Sequence, residues 1–140
     1  MGLFPNQTPT VLISAYAVKQ KQNIMEFKSD KAIFEQIAEY VCEKILNDDY
    51  KPEDRIPSVR EFGARLMVNP NTVMRAYEHL ERNGIIYSKR GIGFLISEES
   101  KRKAAEMMKQ DFLKTAPAFL ARMKLLGISF ADLQTLASDE

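Results

Sequence analysis

The stretch VNPNTVMRAY, residues 68–77, constrains the fold most strongly because it fixes where a helix begins. Pro70 pushes the residue before it toward extended backbone, and proline is favoured at the first helical position, where its missing N–H has no intrahelical partner. Asn69 is therefore expected to be the N-cap. The apolar residues that follow have helical spacing: Val73, Ala76, Tyr77 and Leu80. Asn83 and Gly84 supply a left-handed C-cap, so the pattern predicts a helix from about Pro70 to Asn83.

A shorter helix is predicted immediately before this one, in SVREFGARL. Ser58 and Glu61 have the spacing of a capping box. The apolar face of the short helix consists of Val59, Phe62 and Leu66. Two helices joined by only a few residues, the second with a polar and exposed start, have the spacing of a helix-turn-helix.

The segment SDKAIFEQIAEYVCEKILNDD predicts a longer amphipathic helix upstream, with Ser29 or Asp30 available as its N-cap. Its apolar residues form two neighbouring rows: Ile33, Ile37, Val41 and Ile45 beside Phe34, Ala38 and Cys42. The following YKPEDRIP has two prolines and no periodicity, which is typical of a turn.

After the helix-turn-helix, two short β-prone runs, IIYS and GFLI, flank the segment KRGIG. Gly91 and Gly93 permit a tight hairpin, and Lys89 and Arg90 give its tip a positive charge. A helix, a helix-turn-helix and a basic hairpin in this order predict a winged helix-turn-helix. The expected fold class is therefore mainly α with a small β-hairpin.

Several classes of chemistry have no support in the residue types present. Cys42 is the only cysteine, so an intrachain disulfide and a cysteine zinc site are excluded, and its place on an apolar row indicates a core thiol. His79 is the only histidine and is expected to be exposed and incidental. We therefore expect no enzyme activity and no cofactor. No apolar run approaches the roughly 20 residues of a membrane span, so no membrane association is expected.

The charge is concentrated where the helix-turn-helix lies, although the formal net charge of the whole chain is only +1. Residues 55–96 carry 7 basic and 3 acidic side chains, a local charge of +4, whereas residues 30–54 carry 3 basic and 8 acidic. A locally basic surface beside a helix N-terminus suits phosphates and base edges. The candidate phosphate or groove contacts are Arg60, Arg75, Lys89 and Arg90.

The polar residues at the start of the second helix have different expected roles. Asn71 is the best candidate for bidentate recognition of adenine. Asn69 is expected to be occupied with capping, and Thr72 either binds a phosphate or stabilises the first turn. Arg75 either contacts DNA or is a solvated surface residue, and Tyr77 is expected in the core.

The segment IPSVREFGARLMVNPNTVMRAYEHLERNGIIYSKRGIGFLI resembles the winged-helix domain of GntR-family bacterial transcription regulators, and VNPNTVMRAYEHLE is similar to the YtrA-type subgroup. The resemblance covers about residues 27–96. It implies an intracellular dimer that binds an operator, commonly a repressor and often of transporter operons. The DNA contacts that it implies fall on Arg60, Asn69, Asn71, Thr72, Met74, Arg90 and Gly91. Many relatives have arginine in place of Pro70 and Met74, and glycine is frequent where this chain has Met67.

The remaining residues, 98–140, are predicted to form a helical dimerisation element after the winged helix of residues 26–97. Apolar residues recur with helical spacing along one seam: Ala105, Met108, Phe112, Ala116, Phe119, Met123 and Leu126. Pro117 is expected to kink or divide the helix, Gly127 to end it, and Ser129 with Asp132 to start another. Packing of the seam against the chain's own winged helix is the alternative to dimerisation.

The sequence therefore predicts a cytoplasmic homodimer that binds an inverted-repeat DNA operator and regulates transcription, as a repressor. Two helices after the winged helix are too few to enclose a metabolite, so a small-molecule effector is not expected. Residues 1–25 are expected to form a flexible extension. The alternative function is a winged-helix module for protein–protein interaction that does not bind DNA.

Overall fold

A computed structural model describes residues 25–27 and 30–139 of the chain. Within them the elements follow in the order α1 (Ile33–Leu46), α2 (Val59–Leu66), α3 (Pro70–Arg82), β1 (Ile86–Lys89), β2 (Gly93–Ile96), α4 (Ser100–Leu126) and α5 (Phe130–Ser138). The two strands pair antiparallel, with Ile86 opposite Ile96 and Lys89 opposite Gly93. This arrangement confirms the predicted class, a mainly helical chain with one small hairpin.

The core lies between α1, α3 and the base of the hairpin, and Tyr77 occupies its centre. This side chain is fully buried and its hydroxyl donates a hydrogen bond of 2.7 Å to the Pro57 carbonyl. Its ring lies 6.1 Å from that of Phe62 on α2 and 5.0 Å from that of Phe94 on β2. Tyr77 is therefore a core residue, as predicted, and it joins both halves of the helix-turn-helix to the hairpin.

Local side-chain caps start both helices of the helix-turn-helix. The Ser58 hydroxyl accepts a hydrogen bond from the Glu61 N–H at 3.2 Å, and the Asn69 carbonyl oxygen accepts one from the Asn71 N–H at 2.8 Å. Both cap residues agree with the predictions. The Ser29 or Asp30 cap predicted for α1 is wrong for Asp30: the N-cap is Ala32, which offers no side-chain oxygen, and Ser29 lies outside the described residues.

The turn between α2 and α3 depends on a close approach at Gly63. A Cβ atom at this position would lie 2.8 Å from the Val68 carbonyl oxygen and 3.4 Å from the Pro70 Cα. Both neighbours are backbone atoms, so a side chain would displace the start of α3. Met67 ends α2 with a left-handed backbone, φ +56° and ψ +45°, the conformation that glycine adopts without strain.

The segment YKPEDRIP contributes pairing to the sheet, which its turn-like composition did not predict. Arg55 forms a bridge opposite Leu95, and the Ile56 N–H donates to the Phe94 carbonyl at 3.0 Å. On the same edge the Ile96 N–H donates to the Asp54 carbonyl at 2.9 Å. Residues 53–56 therefore cover the outer edge of β2 as a short third strip.

Helix α4 runs without interruption through Pro117, so the predicted division of the helix is wrong. Pro117 has no N–H to donate to the Leu113 carbonyl, but a single missing bond does not break a helix of 27 residues. Gly127, at φ +70°, ends the helix, and Ser129 with Asp132 forms a complete capping box at the start of α5. These last two predictions are confirmed.

The beginning of α4 belongs to the winged-helix core. Ala104 is fully buried, and Met107 and Met108 pack against the same core cluster. The structure therefore has no break in packing at residues 97–98, where the sequence predicted a domain boundary. Within the predicted seam, Met108 and Met123 are covered by their own chain, whereas Ala105, Phe112 and Phe119 are exposed.

The predicted extension lies almost entirely outside the described residues, which begin at Met25. Met25 and Phe27 pack against the core. Among residues 25–27 and 30–139, no helix has the length and apolar character to cross a membrane.

Replacing Gly63 with alanine tests the close approach in the turn. Helix propensity alone favours alanine by about 1 kcal/mol in a helix interior. We expect the opposite sign, a loss of roughly 1–3 kcal/mol in the free energy of unfolding, because the new Cβ would overlap the Val68 carbonyl. Urea denaturation followed by circular dichroism measures this change.

The matched control is Ala64→Gly at the exposed neighbouring position, which should lose about 1 kcal/mol from propensity alone. Stabilisation by Gly63→Ala would contradict the proposed packing.

Candidate nucleic-acid interface

The N-terminus of α3 is an exposed polar surface without acidic residues in its first turn. The side-chain oxygen of Asn69 is occupied by the cap, so its structural role agrees with the prediction. Pro70 takes the first helical position, also as predicted. Because the first N–H groups of a helix lack intrahelical acceptors and carry a partial positive charge, this end of α3 favours phosphate.

The residues predicted to face DNA lie off the buried face of α3. Asn71 and Arg75 are exposed, Thr72 is half-buried, and Met74 is at the border of exposed. The opposite face of the helix carries the buried residues Val73, Ala76, Tyr77 and Leu80. The structure therefore brings Asn71, Thr72, Met74 and Arg75 together on the first turns of one helix, where they are accessible to a ligand.

Arg75 has a partner that the sequence did not predict. Its guanidinium carbon lies 4.3 Å from the ring centroid of Phe34 on α1, the geometry of a cation–π contact. His79 meets the same ring edge-on, with centroids 6.0 Å apart and planes at 85°. His79 is half-buried, so the prediction that it is exposed is wrong. Phe34 thus fixes one side of Arg75 while the side chain as a whole remains exposed.

Arg60 lies in the first turn of α2 and is exposed. The short helix packs against α3, with Phe62 and Gly63 as its buried residues. Arg60 is therefore carried by the first helix of the helix-turn-helix, on the exposed side away from the core.

The hairpin presents Lys89, Arg90 and Gly91 at its tip, all three exposed. The Ile92 N–H closes the turn by donating to the Lys89 carbonyl at 3.0 Å. Gly91 adopts φ +82° and Gly93 φ +118°, backbone conformations that are unfavourable for residues with a Cβ. A side chain on Gly91 would meet no atom within 4 Å, so its backbone faces open space beside two cations.

Arg55 is a further residue of this region that the sequence did not predict. Its Nε donates a hydrogen bond of 3.0 Å to the Ile92 carbonyl at the hairpin tip, and its Nη2 lies 3.6 Å from a Glu61 carboxylate oxygen on α2. These partners are 37 and 6 positions away in the chain, and one arginine in an irregular segment carries no periodic signal. Only the folded arrangement identifies the contact.

The cations of the surface differ in whether they are already neutralised. In the part of the chain that the structure describes, Arg60, Arg75, Lys89 and Arg90 form no ion pair with a carboxylate, so their charges are available to a polyanion. In contrast, Lys101 pairs with Asp48, and Arg102 pairs with Glu99 and Glu106. These four cations lie on the helix-turn-helix and at the hairpin tip, although Lys51, Lys109, Arg122 and Lys124 elsewhere in the described residues also form no ion pair with a carboxylate there.

Other kinds of site find little support in the described residues. Burial raises the pKa of the Cys42 thiol to about 12, so the thiol stays neutral and cannot act as a nucleophile near pH 7. No three histidine, cysteine or acidic side chains within residues 25–27 and 30–139 form a group that could hold a metal ion. A groove of about 360 Å³ between α3 and α4 is lined by polar side chains including Glu106 and Lys114. Both are already paired, with Arg102 and Asp111 respectively.

Comparison with known proteins agrees with this geometry. Residues 33–96 match the family described as bacterial regulatory proteins, gntR family. The HTH-type transcriptional regulator YhcF of Bacillus subtilis is 35% identical over 105 residues, which cover 74% of this chain and 85% of YhcF. The HTH-type transcriptional repressor YtrA of the same species is 46% identical over 79 residues, 56% of this chain and 61% of YtrA.

A solved structure of another protein matches this fold over nearly the whole length of that other protein. The GntR family transcriptional regulator from Listeria monocytogenes superposes with a TM-score of 0.67 at 32% sequence identity, covering 81% of this chain and 99% of that protein. These relatives are transcription regulators and not enzymes. The matched segment contains α1, the helix-turn-helix and the hairpin, which are the elements that carry Arg60, Arg75, Lys89 and Arg90 and the polar start of α3. The chain therefore belongs to the GntR family of bacterial regulatory proteins and is a DNA-binding transcription regulator.

Proposed function

We propose that this protein is a homodimeric repressor that binds an inverted-repeat operator through α3 and the hairpin. The observation that carries this proposal is the polar N-terminus of α3, with no acidic residue in its first turn and accompanied by four cations that form no ion pair with a carboxylate of the described residues. Similarity to a relative named a transcriptional repressor supports the direction of regulation. The site of action of such a regulator is the bacterial chromosome in the cytoplasm, and transporter genes are included among its expected targets.

The proposed contacts divide into those that position the protein and those that read sequence. Arg60, Lys89 and Arg90 bind phosphates or a groove edge, since cationic side chains supply most of the sequence-independent affinity. Gly91 lets the backbone of the hairpin tip approach the DNA without a side chain between them. Asn71 reads adenine, because its amide offers the donor and acceptor that match the major-groove edge of that base.

Met74 and Thr72 complete the proposed reading surface. Met74 presents a thioether and methyl group, which contact the methyl group of thymine and cannot form the bidentate hydrogen bonds that arginine makes with guanine. Thr72, half-buried in the first turn, is suited to a phosphate contact through its hydroxyl. The surface therefore favours A·T pairs at the positions read by Asn71 and Met74.

Dimerisation is proposed to occur through the apolar surface of α4 from Phe112 onward and of α5. We name this the arm surface and define it by its exposed residues Phe112, Leu113, Phe119, Leu120, Leu125, Leu126, Phe130 and Leu136. The exposed fractions of Phe112, Phe119 and Leu125 are 74%, 56% and 83%. So many large apolar side chains on one region are typical of an interaction site rather than of a solvated surface.

A two-fold arrangement gives the arm surface a function in recognition. An isologous pair covers the same patch on both copies and sets two α3 helices on one face of the DNA. Half-sites then lie roughly 34 Å apart, one turn of the duplex. The alternative use of the arm surface, as a docking site for a helix of another protein, predicts a monomer in isolation.

The DNA contacts are tested with the duplex recovered by selection from random DNA on the purified protein. Asn71→Ala should weaken binding to this duplex by roughly 1–3 kcal/mol, with little effect on a scrambled duplex. Arg75→Ala should weaken binding to both and reduce the slope of log affinity against log salt by about 1. Fluorescence anisotropy at several salt concentrations measures both quantities.

Arg82 supplies the matched control for Arg75 because it lies at the far end of the same helix and is exposed. Arg82→Ala removes an equal charge and should leave the affinity nearly unchanged. If the two arginine variants lose the same affinity, only the total charge matters and α3 does not dock by its N-terminus. Normal binding by Asn71→Ala would remove the proposed adenine contact.

The arm surface is tested by the double variant Phe112→Ala, Phe119→Ala. Because both side chains are exposed in the single chain, the fold should be retained while the dissociation constant of the dimer rises by about tenfold or more. Sedimentation equilibrium measures the constant. Met67→Ala is the control, since it shortens an apolar side chain that is 92% exposed and lies outside the arm surface. A wild-type chain that sediments as a monomer at all concentrations would contradict the dimer and favour a partner helix.

A further inference from the structure

Arg55 connects three parts of the interface that are separate in the sequence. It belongs to the strip of residues 53–56 that pairs with β2, and its backbone lies opposite Leu95. Its side chain extends from there toward the hairpin tip and donates to the Ile92 carbonyl at 3.0 Å. Its Nη2 lies 3.6 Å from a carboxylate oxygen of Glu61, in the first turn of α2. One side chain thus joins the hairpin tip to the helix-turn-helix.

The hairpin needs such a connection because its own pairing is short. Each strand has four residues, and a two-stranded hairpin of this size is at best marginally stable by itself. Its base is anchored by the buried residues Ile86, Leu95 and Ile96. The tip, with Gly91 and Gly93 and no buried side chain, depends on contacts from outside the hairpin.

We infer that Arg55 is a positioning residue, which holds the hairpin tip so that Lys89 and Arg90 meet the DNA in a preset geometry. The planar guanidinium suits this role since it donates in two directions at once, to a carbonyl and to a carboxylate. Its charge is already partly neutralised by Glu61, whereas Lys89 and Arg90 form no ion pair with any carboxylate that the structure describes. This inference rests on the proposed contact between the hairpin and DNA.

The ion pair between Arg55 and Glu61 also affects the charge beside Arg60. It follows Arg60 directly in the chain, and both lie in the first turn of α2. An isolated carboxylate beside a DNA-binding cation would repel phosphate, but pairing with Arg55 reduces this repulsion. Arg55 therefore orients the tip and also offsets the acid next to Arg60.

The inference predicts how substitutions at Arg55 combine with loss of the tip cations. Arg55→Ala should weaken binding to the selected duplex roughly three- to tenfold, as expected when one or two phosphate contacts are lost. Arg55→Lys keeps the charge but cannot reach both partners in the fork geometry, so it should lose nearly as much affinity. In a Lys89→Ala, Arg90→Ala background, Arg55→Ala should cost less than about twofold, because the groups that it positions are gone.

The measurements separate positioning from direct contact and from instability. Anisotropy titrations give the affinities of the full-length variants, and thermal denaturation monitored by circular dichroism checks that each remains folded. Amide hydrogen exchange at Ile92 and Gly93 should accelerate in Arg55→Ala without DNA, whereas exchange in α3 should stay unchanged. Lys51→Ala, which removes an exposed cation from the same loop, is the control and should alter neither affinity nor exchange at the tip.

Three results would overturn the inference. Equal losses from Arg55→Ala in both backgrounds, together with full binding by Arg55→Lys, would identify Arg55 as a direct phosphate contact. Unchanged affinity in Arg55→Ala would remove its role altogether, although loss of binding in the tip variant would still support the hairpin contact. Unchanged binding in the Lys89→Ala, Arg90→Ala variant would refute the hairpin contact itself, and the positioning role with it.

Discussion

The interface depends on the burial of Tyr77 more than on any surface contact. Its ring lies between Phe62 on α2 and Phe94 on β2, and its hydroxyl is bonded to the Pro57 carbonyl before α2. A buried phenol that satisfies its hydroxyl fixes both its depth and its rotation in the core. Since Tyr77 is part of α3, this single side chain fixes the recognition helix relative to the short helix and the hairpin.

This arrangement separates the residues that hold α3 from those available to DNA. One face of the helix is committed to the core, and the cap uses the side-chain oxygen of Asn69. The exposed side chain of Asn71 lies outside the core, whereas Arg75 also stacks on the ring of Phe34, which packs against the core.

The sequence predicted the elements whose signals are local and missed those contacts that join distant segments. Ser58, Asn69 and Ser129 each act on a backbone N–H two or three residues away, and all three caps were predicted correctly. The stacking of Arg75 on Phe34 and the bond from Arg55 to the Ile92 carbonyl span 41 and 37 positions. Neither contact is indicated by helical or strand periodicity in the sequence, because the partners meet only after α1, α3 and the hairpin have packed together.

The long helix α4 shows why an apolar period by itself does not identify a partner. Met108 and Met123 are covered by their own chain, whereas Phe112 and Phe119 from the same seam are exposed. The seven residues of the seam have one spacing, but α4 packs against α1 and joins the core through Ala104, Met107 and Met108, whereas Phe112 and Phe119 are exposed. A helical period of apolar residues indicates that one face of the helix is buried. Which surface covers that face depends on the length of the neighbouring helix. Because α1 has 14 residues and α4 has 27, α1 is too short to cover the whole apolar face of α4.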